Sequence, residues 1–290
     1  MKKINTINSF KSIHYMNPGK ELDDLEFSKM RKELVTINES SRSPVKNNFL
    51  IAGNTLEENR KLYDSCVIAL MYFEDEAFGF LISPIIHCSH GPILHAGLVI
   101  INKNPGANCI SYPAIQNMIL AYESLGTIYS TNISSTPSII ESFDNIVHKA
   151  WPSPSQNAKL IPKNYKDVVK ALEDEYIKKY FVTDDLVEID SRRFTMSSNS
   201  NGMGFSTNFY KLARAEKFIY QTFCMTWIDH SKGEDIVQVG KIGFLTNLYQ
   251  RGLLFMLKIS LLKLKKKGSG SGHETSKKED TSKTKVSKIA

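Results

Sequence analysis

The spacing of apolar residues in the first half of the chain predicts alternating helices and strands. Helical spacing over residues Glu21 to Val35 predicts a first helix, and a short second helix is expected over Leu56 to Ser65, capped by Asn54 or Thr55. Three apolar runs of strand length follow, over Cys66 to Phe73, Ala77 to Ile86 and Ile93 to Ile101. The first two predict a β-hairpin. The third is almost continuously apolar, which is typical of a strand covered on both faces, so we expect it at the centre of the sheet.

A β-α-β unit is predicted after this central strand. A helix is expected to begin near Pro113, a strand to cover Thr127 to Ile133, and a second helix to open at Thr136 and Pro137. Proline is favoured at the first helical position, and a preceding hydroxyl group can cap the free amides. The order predicts a parallel pair of strands and a mixed α/β fold, with a central mixed sheet flanked by helices.

The sequence pattern changes in the second half of the chain. A proline-containing linker begins at Trp151, and we expect the following elements: a helix over Tyr165 to Tyr180, a strand over Leu186 to Met196, a long helix over Asn208 to Ser231 and a strand over Ile236 to Val239. The predicted organisation is a loosely ordered arm (1–20), a core (21–150), a second α/β half (151–243), an amphipathic basic helix (244–267) and a disordered tail rich in Lys, Ser and Thr (268–290). The second half is either a separate domain or completes the first sheet.

The net charge of +7 comes from the C-terminal end of the chain. Residues 251–290 contain 11 Lys and Arg against 3 acidic residues, whereas the other 250 residues contain 26 basic and 27 acidic groups. The body of the protein therefore has no basic excess, and we expect no specific binding of nucleic acid.

Residues 244–267 combine apolar positions with basic residues. Arg251 and Lys258 interrupt the apolar stretch, which is too short for a bilayer of about 30 Å. Two interpretations remain open: a helix on an anionic membrane surface, or a helix packed on the protein's own core. The four scattered cysteines and the polar N-terminus predict a cytoplasmic protein, peripheral to the inner face of a membrane under the first interpretation.

Histidines near the central strand are candidates for chemistry. His87, Cys88, His90 and His95 lie close in sequence, but their spacing matches no recognised zinc pattern, so no metal is expected. His95, inside the central strand, is a candidate general base because imidazole titrates near neutral pH. The alternative is a hydrogen-bonded core histidine.

The order of elements from Cys66 to about Lys149 resembles that of the GNAT superfamily of acyl-CoA-dependent acyltransferases. Asn104 to Asn108 lies where the family has its Arg/Gln-x-x-Gly-x-Gly/Ala loop, with Gly106 as the matching glycine. The helix after Pro137 lies where the family often has a tyrosine that protonates the departing thiolate, and Phe143 occupies that place here. The acid would then be Tyr129, Ser130 or Cys109, or the thiolate leaves unassisted.

The resemblance implies that an acyl group moves from CoA or an acyl-carrier protein to an amine or hydroxyl acceptor. It implies catalytic roles for His95, Tyr129 and Ser130, and acyl-CoA binding by Ile100, Ile101, Gly106, Ala107, Asn108 and Asn132. The alternative hypothesis is a catalytically silent GNAT-like module that binds a ligand or a protein partner at a membrane surface.

Overall fold

The computed structural model describes residues 1–41, 55–104, 106, 109–156, 161–178, 187, 189–197 and 212–268, with the side chains of 261 and 263–268 left aside. Over these ranges the protein has a mixed α/β fold, as the sequence predicts, with a large and mostly antiparallel ten-stranded sheet and eight α-helices. The predicted tail over 268–290 lies, apart from its first residue, outside the described residues.

The sheet runs across the whole molecule. Its strands are β1 (Lys2–Ile7), β2 (Phe10–Met16), β3 (Cys66–Phe73), β4 (Glu76–Cys88), β5 (Gly91–Ala96), β6 (Leu98–Ile101), β7 (Ile128–Ser134), β8 (Ile189–Asp190), β9 (Thr195–Ser197) and β10 (Glu234–Ile242). Their order in space is β1-β2-β3-β4-β5-β7-β10-β9-β8, and β6 pairs with β4. Only β5 and β7 pair in parallel; the other described pairs are antiparallel.

Helices cover both faces of this sheet. They are α1 (Pro18–Glu21), α2 (Asp24–Glu39), α3 (Leu56–Leu62), α4 (Ser111–Leu125), α5 (Pro137–Val147), α6 (Lys163–Leu172), α7 (Phe218–Trp227) and α8 (Phe244–Gly268). Apolar side chains of α4, α5 and α8 share one buried cluster with the strands, and we call this side of the sheet the first face. Helices α2 and α6 cover the opposite side, the second face.

The prediction of a loosely ordered arm over residues 1–20 is wrong for most of that segment. Residues 2–16 form the hairpin β1–β2, and β2 pairs with β3 along its whole length. The buried polar residues Ser12 and His14 conceal the strand pattern in the sequence. His14 Nδ1 lies 2.7 Å from Asn117 Oδ1, and its Nε2 lies 2.9 Å from Ser12 Oγ, so these polar groups are paired inside the core.

The predicted hairpin and central strand are confirmed, with one correction. Strands β3 and β4 form the hairpin, and the segment 91–101 lies at the centre of the sheet. That segment is two strands instead of one, because it breaks at Gly97. The predicted parallel pair is β5 and β7, joined by α4.

The second half of the chain completes the first sheet. Strand β10 pairs with β7 over seven residue pairs, and Trp151 in the predicted linker exchanges two main-chain hydrogen bonds of 2.8 Å with Val239. The predicted strand over 186–196 is wrong in part, since its described residues form β8 and β9 around a turn at 191–194. The predicted long helix begins only at Phe218, and residues 208–211 lie outside the described ones.

Helix starts follow local rules where the cap is formed. Thr55 caps α3 in a complete capping box: its Oγ1 accepts from Glu58 N at 3.1 Å, and Glu58 Oε2 accepts from Thr55 N at 3.2 Å. The predicted cap of α5 is wrong, because the Thr136 side chain makes no capping hydrogen bond. Helix α4 begins at Ser111, two residues before Pro113.

Candidate active site

Strands β5 and β7 run side by side and then diverge. They pair in parallel from Ile93 with Tyr129 to Ala96 with Asn132. Beyond Ala96 the chain continues as β6, which pairs with β4, while β7 keeps β10 on its other side. No described strand lies between β6 and the end of β7, and we call this gap in the sheet the β6–β7 notch.

A β-bulge at Gly97 produces this divergence. Residues 95–97 lie opposite only two residues of β4, Ser83 and Pro84, because the register shifts between the pairs Ile85–Leu94 and Ile82–Leu98. A Cβ on Gly97 would lie 2.8 Å from Pro84 Cδ and 3.0 Å from Ile82 O. The close approach of β4 at the bulge thus requires glycine.

Main-chain groups of β6 face the notch. Asn102 N donates to Phe78 O at 2.8 Å, in register with the β4–β6 ladder. Because hydrogen-bonded and non-bonded pairs alternate in an antiparallel ladder, Val99 and Ile101 direct their N–H and C=O groups away from β4. No described strand pairs with β6 on that side, and the Val99 side chain is 46% exposed.

The chain leads from β6 through a short loop to the N-terminus of α4. Among the described residues no side chain caps α4, and its first turn contains no acidic residue. The first amides of a helix carry a partial positive charge and bind anionic groups such as phosphate. The notch therefore combines a free strand edge with an uncapped helix start.

Gly106 in that loop has a packing role. Its amide donates to Asn104 Oδ1 at 2.8 Å, and a Cβ would lie 2.9 Å from Phe78 Cζ. The amide is thus already engaged and is not offered to a phosphate in this conformation. Ala107 and Asn108, for which the sequence predicts acyl-CoA binding, lie outside the described residues.

His95 is buried on the second face. Its Nδ1 lies 2.9 Å from Thr131 Oγ1, and its ring centroid lies 4.5 Å from that of Tyr176. Burial lowers the pKa of His95 to about 3, so the side chain is neutral at physiological pH. A base with so low a pKa takes up a proton poorly at neutral pH, and the general-base role stays a prediction.

Tyr129 and Ser130 point to opposite faces, as successive residues of a strand do. The Tyr129 side chain packs on the second face, where its hydroxyl accepts from Asn164 Nδ2 at 3.3 Å. Ser130 is buried, and its Oγ has no hydrogen-bond partner among the described residues. The three predicted catalytic residues therefore do not converge on one point. Tyr129 of β7 and His95 of the adjacent strand β5 point to the second face, whereas Ser130 points to the first face.

Asn132 lies at the last β5–β7 pair, beside the notch, but its side chain is engaged. Its Nδ2 donates to Gln238 Oε1 at 3.3 Å, and Gln238 Nε2 in turn lies 3.3 Å from Pro152 O. Gln238 was not predicted from the sequence, since it becomes a neighbour of Asn132 only when β10 pairs with β7. Of the two predicted isoleucines, Ile100 is buried on the second face, and Ile101 faces the notch through its main chain.

Phe143, at the helix position of the family's acid, and the candidate acid Cys109 have different surroundings. Phe143 is buried in the first-face cluster, so the helix position that the resemblance associates with a tyrosine is part of the core. Burial raises the pKa of the Cys109 thiol, which keeps it protonated at neutral pH. Neither residue offers a titrating group at neutral pH.

The histidine-rich turn between β4 and β5 is held by ordinary pairs. Cys88 Sγ donates to Gly91 O at 3.2 Å, and His90 Nε2 lies 2.7 Å from Asp167 Oδ2. Within the described ranges, no three His, Cys, Asp or Glu side chains come together in a group suited to a metal ion.

A surface depression of about 350 Å³ lies on the second face between α3, β4 and the helical turn 173–177. Tyr176 lines it and also contacts His95, and its hydroxyl lies 3.2 Å from where a Cβ of Gly97 would be. Tyr176 thus joins this depression to the bulge. Sequence reasoning missed it, because in an amphipathic helical pattern it reads as a core aromatic residue.

Comparison with models of known protein families gave no match for this chain, and comparison with curated protein sequences gave none either.

Proposed function

We propose that the chain binds the pantetheine arm of acyl-CoA, or of an acyl-carrier protein, in the β6–β7 notch and transfers the acyl group to an amine or hydroxyl acceptor, as a GNAT-like acyltransferase. The observation that carries the proposal is the parallel pair β5–β7, which diverges at the Gly97 bulge. The outward main-chain groups of Val99 and Ile101 then pair with no other described strand. The family that the sequence resembles has a central strand that splays from its neighbour at the corresponding place.

The chemistry of the notch suits a pantetheine thioester. The arm contains two amides, which can pair with the free N–H and C=O groups of β6 as an added strand would. The diphosphate would then lie at the uncapped N-terminus of α4, where the helix amides favour negative charge. A strand N–H next to the thioester carbonyl would stabilise the charge that develops on its oxygen during acyl transfer.

A second candidate function is a silent module that binds the thioester without transferring the acyl group. His95 is buried and neutral, and Phe143 replaces the thiolate acid of the resembled family. The two candidates share the binding site and differ in whether the thiol is released.

Binding is tested with a proline at the strand edge. Val99→Pro removes the N–H that faces the notch and leaves the β4–β6 hydrogen bonds intact, because Val99 does not donate to β4. We expect affinity for acetyl-CoA or a long-chain acyl-CoA, measured by calorimetry on the full chain, to fall by about tenfold or more, as for one lost buried hydrogen bond. Val99→Ala keeps the N–H and should bind as the unaltered chain does.

Equal affinities of the two variants, or no binding of any acyl-CoA to the unaltered chain, would refute the notch as the site. Release of free thiol in the presence of amine acceptors then separates the two functions. Binding without release favours the silent module, and release that is unchanged by His95→Gln would exclude His95 as the base.

A further inference from the structure

Helix α8 packs against the body of the protein with one side only. Gln250 and Leu254 are buried, and Gln250 Nε2 donates to Ile146 O at 3.3 Å. Leu253 and Leu257 are partly buried against the first-face cluster. The helix is therefore anchored on α4 and α5. Most of its opposite side is free among the described residues, and at its edge the ring of Tyr249 lies 5.4 Å from that of His148.

That free side is apolar, and we call it the α8 arc. Its large exposed side chains are those of Phe244, Leu245, Leu248, Tyr249, Phe255, Met256 and Leu262. With about 3.6 residues per turn, these positions fall within one continuous sector of roughly 140°. Phe244 and Leu245 are 71% and 77% exposed. A contiguous group of large exposed apolar side chains marks an interaction surface, unlike single apolar residues scattered over a surface.

The charge of α8 indicates which kind of surface the arc can bind. Its sequence has no Asp or Glu from 244 to 268 and carries six basic residues, namely Arg251, Lys258, Lys263, Lys265, Lys266 and Lys267. Arg251 pairs with Glu123 at 2.6 Å, whereas Lys258 is exposed beside the edge of the arc. The surface that complements α8 is therefore both apolar and negatively charged.

We infer that the α8 arc binds the surface of a bilayer that contains anionic lipids, with the helix axis in the plane of the membrane. Aromatic and aliphatic side chains on one wide sector, bordered by lysine, are typical of helices that lie in the headgroup region. A second copy of the chain fits less well, because two acid-free helices repel one another and helix dimers use a narrower apolar seam. Among the residues that the structure describes, none of the helices is long and apolar enough to cross a bilayer.

The inference is tested by sedimentation of the full chain with vesicles. The probes are vesicles of phosphatidylcholine alone and vesicles with one quarter phosphatidylglycerol. We expect binding to the anionic vesicles, and the double variant Leu248→Gln, Phe255→Gln should weaken it by about tenfold or more, because both side chains lose apolar contact with the lipid. High salt should weaken binding without abolishing it.

The matched control is the double variant Leu25→Gln, Leu56→Gln. Both leucines are exposed, on α2 and α3, away from the first face, so their replacement should leave vesicle binding unchanged. All variants retain the basic residues after 262, so charge alone cannot distinguish them. Equal binding of both double variants, or no binding of the unaltered chain, would overturn the inference. The inference would also be overturned if light scattering showed that the unaltered chain and the control variant are dimers and that the α8 double variant is a monomer.

Discussion

Single residues determine how closely the helices approach the sheet. Gly240 on β10 lies opposite Ser130 of β7, and Val147 of α5 packs directly over it. A Cβ on Gly240 would lie 2.5 Å from Val147 Cγ2 and 2.8 Å from Val147 Cβ. Both residues are buried, so neither can move into solvent to relieve the contact.

Gly240→Ala is expected to lower the free energy of unfolding by about 1–3 kcal/mol, because α5 and β10 must separate to admit the methyl group. Urea denaturation measures this change. The control is Gly252→Ala in the exposed sector of α8, where no atom lies within 4 Å of the added Cβ and alanine favours the helix by about 0.5–1 kcal/mol. If Gly240→Ala leaves stability unchanged, the close approach of α5 to β10 is refuted.

Among the elements, the helix starts differ in how their amides are satisfied. The start of α3 has both hydrogen bonds of a capping box between Thr55 and Glu58, whereas Thr136 at the start of α5 has none from its side chain. The same residue type therefore occupies the same position in two helices with different contacts.

Thr55→Ala should lower the free energy of unfolding by about 1 kcal/mol, since a first-turn amide loses its acceptor. Thr136→Ala, the matched control, should change it by less than about half of that, because no cap is lost. Thermal or urea unfolding of both variants checks the difference. If Thr136→Ala lowered the free energy of unfolding as much as Thr55→Ala does, the assigned caps would be contradicted.

For the whole molecule, two buried histidines link stability to pH. Burial, with a smaller contribution from the charge of Lys3, lowers the pKa of His14 to about 4, and burial lowers that of His95 to about 3. In the unfolded chain both would titrate near 6.5. Between these values the unfolded state binds more protons than the folded state, so stability is full above about pH 6.5 and falls as the pH decreases.

As the pH falls from 7 to 5, each histidine should lower the free energy of unfolding by about 2 kcal/mol. His14→Gln removes one of these titrating groups. The decrease in unfolding free energy from pH 7 to pH 5 should therefore be smaller by about 2 kcal/mol in the variant, whatever its stability at pH 7. His87→Gln makes the same replacement at an exposed position and is the control for effects of the substitution itself. Urea denaturation of the three proteins at both pH values gives the comparison, and an unchanged loss in His14→Gln would contradict a neutral, buried His14.

The amino-acid sequence by itself determined the local elements. The run Cys66–Phe73, the hairpin with β4 and the absence of a hydroxyl at Phe143 could all be read from neighbouring residues. The cap of α3 was narrowed to Asn54 or Thr55, and the structure has Thr55. These features depend on side-chain period and turn chemistry, which act over a few residues. The concentration of positive charge after residue 250 follows from the sequence in the same way.

Only the tertiary structure decided the features that depend on residues far apart in the chain. Strand β2 contains the buried polar residues Ser12 and His14. His14 pairs with Ser12 on its own strand and with Asn117, which is 103 positions away in the chain. The bulge at Gly97 exists because β4 lies against it, and Gly106 packs closely on the ring of Phe78. The arc on α8 is exposed because its opposite side packs on α4. Local patterns report which side chains prefer burial, but the approach of distant backbones determines which polar groups find partners and which apolar ones remain uncovered.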